Sequence, residues 1–238
     1  MPTPAFATPG QIRALFDRIA GDYDALNQHL SLGLHQIWKT MTVLWADPPR
    51  GGEVVDLCCG SGDLALILAR YVGRQGRVIG VDFSPKLLAI ARQRGERLFP
   101  GFPFVWLEAD VLELPLPANR YAAVTVGYGL RNVVDIPRCL QEISRILKPG
   151  GKVAILDFHQ PRDPWVAAWQ GWYLQNRVVP EAGRRGLGEE YGYILPSVRG
   201  FPDGERQKQL AQEAGLADPH FYPLLGGMMG VLLARKPD

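Results

Sequence analysis

The chain has 238 residues, of which 47% are hydrophobic and 21% are charged. This length suits one large domain, and the ordinary apolar content excludes wholesale disorder. A formal net charge of +2 gives no electrostatic case for nucleic-acid binding. The three cysteines cannot make a paired framework, which favours a reducing compartment.

Neither end of the sequence carries a targeting or membrane signal. The first ten residues lack a basic region followed by an apolar core, so they do not resemble a secretory signal. The longest uncharged stretch near the C-terminus, Pro219 to Ala234, is interrupted by prolines and glycines and is too short for a membrane span. We therefore expect a cytoplasmic protein.

The N-terminal region is predicted to be a loose arm followed by helices. Residues 1–10 are rich in Pro, Ala and Thr, and apolar residues recur at helical spacing from Ile12 to about Trp45, with a break at Gly21. A turn at residues 47–52 then marks the start of a core fold. We divide the chain into an N-terminal segment, 1–50, and a core, 51–238.

Strands and helices alternate along the core. Ser84 and Pro85 form a strong helix start, with Ser at the N-cap and Pro at the first helical position. Single helices between strands imply right-handed crossovers and a parallel, doubly wound α/β sheet. Strands are predicted at 54–59, 77–82, 104–107, 121–128 and 152–158, helices at 64–72, 85–98 and 136–147.

An aromatic-rich segment at about 160–204 interrupts this alternation. It is predicted to be an insertion, part helix and part loop, over the carboxyl edge of the sheet. Trp165, Trp169 and Trp172 recur at helical spacing, which suits either a buried stripe or contact with a lipid tail. A helix at 205–214 and strands near 220–222 and 231–235 complete a mostly parallel, seven-stranded sheet.

Acidic residues stand at the predicted ends of the first three strands. In an open parallel sheet the ligand lies beyond the carboxyl ends of the strands, where the winding reverses. Asp56 belongs to the first strand, Asp82 ends the second and Asp110 follows the third. A carboxylate at Asp82 can accept both hydroxyls of a ribose, and Asp110 is placed to meet an adenine amino group. Gly60 and Gly62 let the backbone approach a ligand closely.

The glycine segment alone also fits the pattern G-x-G-x-x-A of dinucleotide enzymes, so an NAD-dependent oxidoreductase is an alternative. A dinucleotide places its pyrophosphate over the helix N-terminus, where the charge of Asp63 would oppose it. S-adenosylmethionine has a ribose and an adenine without a phosphate and fits better. Asp56 is a candidate partner for its ammonium, or else a structural residue that accepts backbone hydrogen bonds from the glycine loop.

Several motifs carry a family resemblance. The segments Val55–Leu64 and Ala109–Pro115 resemble motifs of the class I methyltransferases, whose fold is a Rossmann-like sheet. Gly129-Leu130-Arg131-Asn132-Val133 is narrower and resembles the signature of the ubiquinone and menaquinone biosynthesis C-methyltransferases, as do Phe16–Ala20 and Leu34–Lys39. Cys58–Cys59, Asp82–Ser84 and Gly226–Gly230 look most like the cyanobacterial and plastid branch, which methylates 2-phytyl-1,4-naphthoquinol in phylloquinone biosynthesis.

The resemblance implies an S-adenosylmethionine-dependent C-methyltransferase and a set of cofactor contacts. The family position at Gly127 is often serine, so a side-chain hydrogen bond is absent there. Tyr23, in the N-terminal segment, is expected to close over the methionine end of the cofactor. The candidate cofactor-binding residues are Asp56, Gly60, Ser61, Gly62, Asp82, Phe83, Asp110, Val111, Gly127 and Tyr23.

The implied acceptor is a prenylated quinol, because the oxidised ring is too electron-poor to attack a methyl group. Arg131, assisted by Asn132, is expected to orient the quinol oxygen and stabilise its negative charge. His159 is a lesser candidate for proton transfer. The structural alternatives are a salt bridge between Arg131 and Asp135, and a capping or packed His159.

An apolar groove is expected to hold the tail of the quinol, with Phe16, Tyr128, Tyr191 and Met228 as candidate substrate-binding residues. An amphipathic lid in the insertion would bring the protein into peripheral contact with the membrane that holds the substrate. No metal is expected, because His29 and His35 lack the spacing of ligands on a helix. Demethylmenaquinol and the ubiquinone or plastoquinone precursors are alternative acceptors, and a non-catalytic S-adenosylmethionine-binding scaffold is an alternative function.

Overall fold

A computed structural model describes residues 8–21 and 34–238 of the chain. The strands in these residues are β1 (Glu53–Leu57), β2 (Arg77–Asp82), β3 (Phe104–Glu108), β4 (Tyr121–Gly127), β5 (Leu147–Phe158), β6 (Ala217–Leu224) and β7 (Met229–Arg235). They form a seven-stranded sheet in the order β3-β2-β1-β4-β5-β7-β6. Strands β1 to β5 pair in parallel, and β7 runs antiparallel between β5 and β6. The predicted doubly wound, mostly parallel, seven-stranded sheet is confirmed.

The winding of the sheet reverses between β1 and β4. The chain leads from β1 to β2 and β3 on one side, and β4 then pairs with the other edge of β1. Residues Tyr121 to Val126 of β4 are all buried, as expected for a strand that is covered by helices on both faces. A ligand crevice is therefore expected at the carboxyl ends of β1 and β4.

The helices of the core begin close to the predicted residues. The Ser84 hydroxyl accepts a hydrogen bond from the Leu87 amide (3.2 Å), and Pro85 is the first helical residue. The helices in the described residues are α1 (Pro9–Ile19), α2 (His35–Ala46), α3 (Asp63–Val72), α4 (Pro85–Leu98), α5 (Ile136–Ile146), α6 (Pro164–Tyr173), α7 (Val179–Gly183), α8 (Gly188–Gly192), α9 (Ile194–Gly200) and α10 (Gly204–Glu213).

Strand β5 begins earlier than predicted. Leu147 already pairs with Tyr121 of β4, and the Gly150 amide donates to the Lys236 carbonyl (3.1 Å). Residues Lys148–Gly151, whose Pro and Gly are typical of a turn, are therefore held by neighbouring chain segments on both sides. Local turn residues do not reveal such tertiary hydrogen bonds.

The segment after β5 is the predicted insertion. Its helices α6 to α9, with a π-helical turn at Leu174–Val178, pack against α1. Leu15 and Ile19 of α1 share an apolar cluster with Leu174 and Val178. We call α1 and the insertion the cover of the sheet's carboxyl edge.

The three tryptophans of the insertion face outward. Trp165, Trp169 and Trp172 of α6 are 85%, 50% and 52% exposed. Of the two alternatives for these tryptophans, the buried stripe is therefore wrong, because helical spacing shows that residues share a face but not which way the face points.

No helix in the described ranges is long and apolar enough to cross a bilayer. Residues 8–21 and 34–238 also contain no group of three or more His, Cys, Asp or Glu side chains that could hold a metal ion.

Candidate active site

A buried carboxylate holds the loop between β1 and α3. Asp56 is fully buried, and its oxygens accept hydrogen bonds from the Thr125 hydroxyl (2.9 Å) and the Ala65 amide (3.0 Å). Burial raises the pKa of this carboxyl to about 7. Because Asp56 is fully buried and does not line the main cleft, the geometry favours the structural role over contact with a cofactor ammonium.

Glycine is required in this loop. Gly62 has φ +90°, and a Cβ there would lie 3.1 Å from the Ala91 side chain and from the Trp106 ring. Gly60 has φ +53°, and its amide donates to a carboxylate oxygen of Asp82 (2.8 Å). The glycines therefore let the loop pack closely on α4 and β3 and turn an amide toward the end of β2.

Asp82 lies at the carboxyl end of β2, as predicted. It is buried, and its second carboxylate oxygen accepts from the Ser84 amide (2.9 Å). Burial raises the pKa of Asp82 to about 6, although the backbone hydrogen bonds oppose this rise. The backbone thus fixes a carboxylate that can accept hydrogen bonds from a diol.

The charge of Asp63 is neutralised inside the protein. One carboxylate oxygen accepts from Lys39 (2.6 Å) and the other from Arg94 (2.6 Å). Burial alone would raise the pKa of Asp63, but these two cations lower it to about 2. Asp63 would therefore not repel a phosphate at this corner, and the sequence-based argument against a dinucleotide is wrong.

The same arginine, Arg94, also forms hydrogen bonds with Ser61. Arg94 donates to both the hydroxyl and the carbonyl oxygen of Ser61, at 2.9 Å each. Asp56, Ser61 and Gly62 shape the loop and lie outside the lining of the main cleft, so their contact with a cofactor stays a prediction.

A cleft at the carboxyl ends of the central strands has a volume of about 680 Å³, part of which is open to solvent. It brings together most of the residues predicted to bind the cofactor and three residues predicted to bind the substrate or to take part in catalysis. The predicted residues that line it are Gly60, Asp82, Phe83, Asp110, Val111, Gly127, Tyr128, Asn132 and Phe16. We call the part formed by Gly60, Asp82, Asp110 and their neighbours the floor of the cleft.

Helix α1 closes one side of this cleft. The Phe16 ring lies 6.2 Å from the Phe83 ring, centroid to centroid. Ser84 donates to Asp17 of α1 (2.5 Å), and Arg13 pairs with Glu108 at the end of β3 (2.6 Å). Polar contacts thus tie the cover to the ends of β2 and β3.

The turn after β4 approaches the β1 loop very closely. A Cβ on Gly129 would lie 2.4 Å from the Cβ of Cys58, so a larger residue does not fit there. Tyr128 has φ +62° and is buried, with Lys39 above its ring and Phe158 beside it. Such a left-handed conformation is costly for a tyrosine and marks a tightly constrained site.

Arg131 forms a buried ion pair with Asp157 at the end of β5. Its guanidinium donates to one carboxylate oxygen of Asp157 (2.6 Å), and its backbone amide donates to the other (3.0 Å). The guanidinium also donates to the Tyr128 carbonyl and lies over the Phe158 ring. The expected alternative, a salt bridge to Asp135, is wrong, since the guanidinium pairs with Asp157 while Asp135 caps α5.

Tyr193 of the insertion lies next to Arg131 and Asn132, the two polar residues of the Gly129–Val133 motif. Its hydroxyl lies close enough to the side chains of Arg131 and Asn132 for hydrogen bonding. Burial raises the pKa of Tyr193, and these two contacts oppose the rise. Asn132 also donates to the Tyr128 carbonyl (3.3 Å) and reaches the cleft.

Sequence reasoning did not single out Asp157 or Tyr193. Asp157 had a detectable signal, because it is the one charged residue in the apolar run Val153–Phe158. Tyr193 had none beyond being one of several aromatic residues in the insertion.

His159 does not belong to the active site. Its ring is buried against Phe201 (5.1 Å) and Phe221 (4.6 Å), and Nε2 lies 3.3 Å from the Gln207 amide. Burial lowers its pKa to about 4. The catalytic assignment of His159 is therefore wrong, and the alternative of a packed histidine is confirmed.

The remaining predicted substrate residues lie apart from the main cleft. The Met228 carbonyl accepts from the His159 amide (2.9 Å) and from the Gln170 side chain (3.3 Å), so Met228 anchors the insertion. Tyr191 is buried inside the insertion and lines a separate cavity there. Tyr23 lies outside the described residues.

The chain matches the model of the ubiE/COQ5 methyltransferase family over residues 7–236. It is 53% identical to the 2-phytyl-1,4-naphtoquinone methyltransferase of Trichormus variabilis, covering 95% of this chain and 99% of that protein. It is 46% identical to the chloroplastic 2-phytyl-1,4-beta-naphthoquinone methyltransferase of Arabidopsis thaliana, with 94% and 87% covered.

Solved structures support the fold assignment. A SAM-dependent methyltransferase from Aquifex aeolicus superposes with a TM-score of 0.57 at 17% identity, covering 78% of this chain and 82% of that one. A phosphoethanolamine N-methyltransferase from Haemonchus contortus, solved with S-adenosylhomocysteine, gives 0.64 at 16% identity, with 95% and 60% covered. At such low identities the similarity establishes the fold alone.

Proposed function

Because the chain belongs to the ubiE/COQ5 methyltransferase family, we propose that it transfers a methyl group from S-adenosylmethionine to a ring carbon of a prenylated naphthoquinol. The acceptor we favour is 2-phytyl-1,4-naphthoquinol, the reduced form of the quinone in the names of the relatives. One observation carries this proposal: a single cleft joins the carboxylates of the floor to the turn that holds Arg131 and Asn132.

The floor suits the adenosyl part of this cofactor. Asp82 presents a fixed carboxylate that can accept hydrogen bonds from both ribose hydroxyls, and Gly60 leaves the backbone accessible beside it. Asp110 and Val111 lie at the end of β3, where Phe83 adds an apolar ring for an adenine to lie on.

When bound, S-adenosylmethionine supplies a sulfonium methyl group that needs no further activation as an electrophile. A quinol ring carbon can accept it, whereas the electron-poor ring of the oxidised quinone cannot. The task left to the protein is to favour the ionised quinol and to hold the ring in place, because a phenolic hydroxyl has a pKa of about 10.

Arg131 lies just behind the lining of the cleft, where its guanidinium is paired with Asp157 and its neighbour Asn132 reaches the cleft. The guanidinium is buried and held on three sides by Asp157, Tyr128 and Phe158, so its orientation is fixed before a substrate enters. A preorganised cation lowers the pKa of a nearby hydroxyl and stabilises the anion that forms. We assign Arg131 to the quinolate oxygen, with Asn132 as a hydrogen-bonding partner at the cleft.

The test is transfer of labelled methyl from S-adenosylmethionine to 2-phytyl-1,4-naphthoquinone supplied in reduced and in oxidised form. We expect the label on the ring carbon of the reduced form only. Label in the oxidised form alone would overturn the mechanism. The variant Arg131→Ala should lose at least about 100-fold in turnover while the dissociation constant of the cofactor changes less than threefold.

The same assay separates the alternative acceptors. Demethylmenaquinol and the benzoquinol precursors differ from 2-phytyl-1,4-naphthoquinol in ring or tail. If one of them is methylated faster, it replaces 2-phytyl-1,4-naphthoquinol as the assigned acceptor. Binding of the cofactor without transfer to any quinol would instead support the scaffold interpretation. Membership of a methyltransferase family argues against an NAD-dependent oxidoreductase. This replaces the sequence-based argument that the charge of Asp63 would repel a pyrophosphate.

A further inference from the structure

Helix α6 carries an apolar face that nothing in the described part of the chain covers. Trp165, Trp169 and Trp172 stand at helical spacing and are 85%, 50% and 52% exposed. We call these three side chains the tryptophan face. Exposed clusters of large apolar side chains are uncommon on monomeric proteins and mark binding surfaces.

The opposite face of α6 anchors the helix rigidly. Gln170 is buried and donates to the His159 carbonyl (2.9 Å) and to the Met228 carbonyl (3.3 Å). Trp169 stacks on Tyr173 at 5.3 Å with an interplanar angle of 10°. The tryptophan face is therefore held outward by its own helix.

The exposed surface continues onto a second element. Val166 of α6 lies against Gly226 in the turn before β7. Leu225, the residue before this glycine, is 48% exposed. Apolar side chains from two segments thus lie side by side at the carboxyl edge of the sheet.

Exposed arginines stand in the chain on both sides of α6 and at the end of α9. Arg162 precedes α6, Arg177 follows it in the π-helical turn, and Arg199 ends α9, and all three are exposed. None of the three makes an ion pair within residues 8–21 and 34–238. The neighbouring acid Asp163 is engaged as the N-cap of α6. The charge of these arginines therefore suits an anionic partner.

A second cavity adjoins the C-terminal end of the same helix. It has a volume of about 650 Å³, part of which is open to solvent, and lies within the insertion. Apolar side chains line most of it, including Leu174, Val179, Tyr191 and Leu195, and Arg199 stands at its wall. Such a lining suits a hydrocarbon chain that leaves a bilayer beside the tryptophan face.

We propose that the tryptophan face docks the protein on an anionic lipid bilayer. Tryptophan prefers the interface between headgroups and acyl chains, and a short anchored helix with arginines at its ends matches an element that lies in this plane. The proposal rests on the proposed function for its purpose, since a quinol with a long isoprenoid tail resides in the bilayer. The docking itself does not require a quinone.

The experiment is co-sedimentation of the full chain with vesicles of phosphatidylcholine alone or mixed with phosphatidylglycerol, without quinone. We expect stronger binding to the mixed vesicles, and a blue shift of tryptophan fluorescence. The combined variant Trp165→Ala, Trp169→Ala, Trp172→Ala should bind roughly tenfold more weakly or worse. The combined variant Arg162→Gln, Arg177→Gln should lose the preference for phosphatidylglycerol.

The matched control is Leu98→Ala, which shortens an exposed leucine at the end of α4 and should bind vesicles as the native chain does. Circular dichroism confirms that each variant is folded. The proposal is overturned if the native chain binds neither kind of vesicle, or if the tryptophan variant binds vesicles as well as the native chain does. Gel filtration then shows whether the face instead joins two copies of the chain.

A second assay keeps this proposal separate from the proposed function. With a short-tailed naphthoquinol in detergent, the tryptophan variant should methylate as fast as the native chain. Vesicle binding without any methylation would refute the proposed function and leave the docking intact. Methylation without vesicle binding would refute the docking proposal and leave the proposed function intact.

Discussion

The floor of the cleft and the cover differ in how their polar groups are held. On the floor, Asp82 accepts hydrogen bonds from the backbone amides of Gly60 and Ser84. At the turn after β4, next to the cover, Arg131 is held by the side chains of Asp157 and Tyr193, which come from the neighbouring strand β5 and from the insertion. Backbone amides at strand ends are placed by the sheet itself, whereas the side-chain network depends on how the insertion packs.

This difference suggests a division of labour. A floor built from strand ends and tight turns is preorganised to bind the cofactor whether or not an acceptor is present. The cover joins the catalytic turn to the surface through which the acceptor must enter. We therefore expect changes on the floor to affect cofactor affinity, and changes at the cover to affect turnover.

The largest effect is expected from Asp157→Asn. This change leaves the buried guanidinium of Arg131 without its anion, and breaking a buried ion pair costs about 3–5 kcal/mol. We expect turnover to fall by roughly 100-fold or more and the melting temperature to drop, while cofactor affinity stays within threefold. Steady-state kinetics and cofactor titration measure the two quantities separately.

The matched control for this change is Asp135→Asn. Asparagine caps a helix as well as aspartate does, so this variant removes the other nearby carboxylate without loosening α5. Turnover should be unchanged. A large loss of turnover in Asp135→Asn, or no loss in Asp157→Asn, would instead support the salt bridge between Arg131 and Asp135 that the sequence suggested as an alternative.

The second prediction concerns Tyr193→Phe, which keeps the ring and removes the hydroxyl shared with Arg131 and Asn132. If the hydroxyl orients these side chains, turnover should fall about tenfold with little change in stability or in the KM for the cofactor. Tyr173→Phe is the control, because Tyr173 packs in the same apolar cluster. Equal losses in both variants would show a general packing effect.

How much the sequence predicted follows the same division. The ends of β1, β2 and β3 were located because acids and glycines interrupt short apolar runs, and those local signals place Asp82 and Asp110 correctly at the cleft. The roles of Asp56 and Asp63 were harder to predict. Both depend on side chains such as Thr125 and Arg94 that only the folded chain brings close.

The cover was predicted less well, for a physical reason. Its composition marks the insertion as a separate segment, but neither the direction of its tryptophans nor the partner of Arg131 could be predicted from the sequence. A helix of ten residues can turn either face inward, and the choice is made by Gln170, which is buried on the strand-end carbonyls. Asp157 and Arg131 are 26 residues apart, so no local pattern links them.

A pH prediction tests the floor. Since the pKa of Asp82 is raised to about 6, its carboxylate is ionised above that pH and protonated below it. Only the ionised form accepts both ribose hydrogen bonds, so affinity for S-adenosylhomocysteine should weaken as pH falls below about 6, by at most roughly tenfold per unit. Calorimetric titration at several pH values measures this. Asp82→Asn should bind weakly throughout and lose the pH dependence, whereas Asp110→Asn should retain it.

The smallest effect on turnover is expected from His159→Gln, which tests whether the packed histidine has any chemical role. The glutamine amide can still meet Gln207, so turnover between pH 6 and 8 should stay within about twofold. Because burial lowers the pKa of His159 to about 4, the unfolded chain binds a proton in the window between the ordinary histidine value and pH 4, and the folded chain does not.

Acidification through this window therefore removes stability from the native chain, by no more than about 3 kcal/mol. His159→Gln should lose less stability over the same range, as thermal unfolding at pH 7 and pH 5 would show. A variant that unfolds normally but has lost its methyltransferase activity would return His159 to the active site. That result would also mean that the reaction extends beyond the cleft, to the side of the sheet where Phe201 and Phe221 enclose the imidazole.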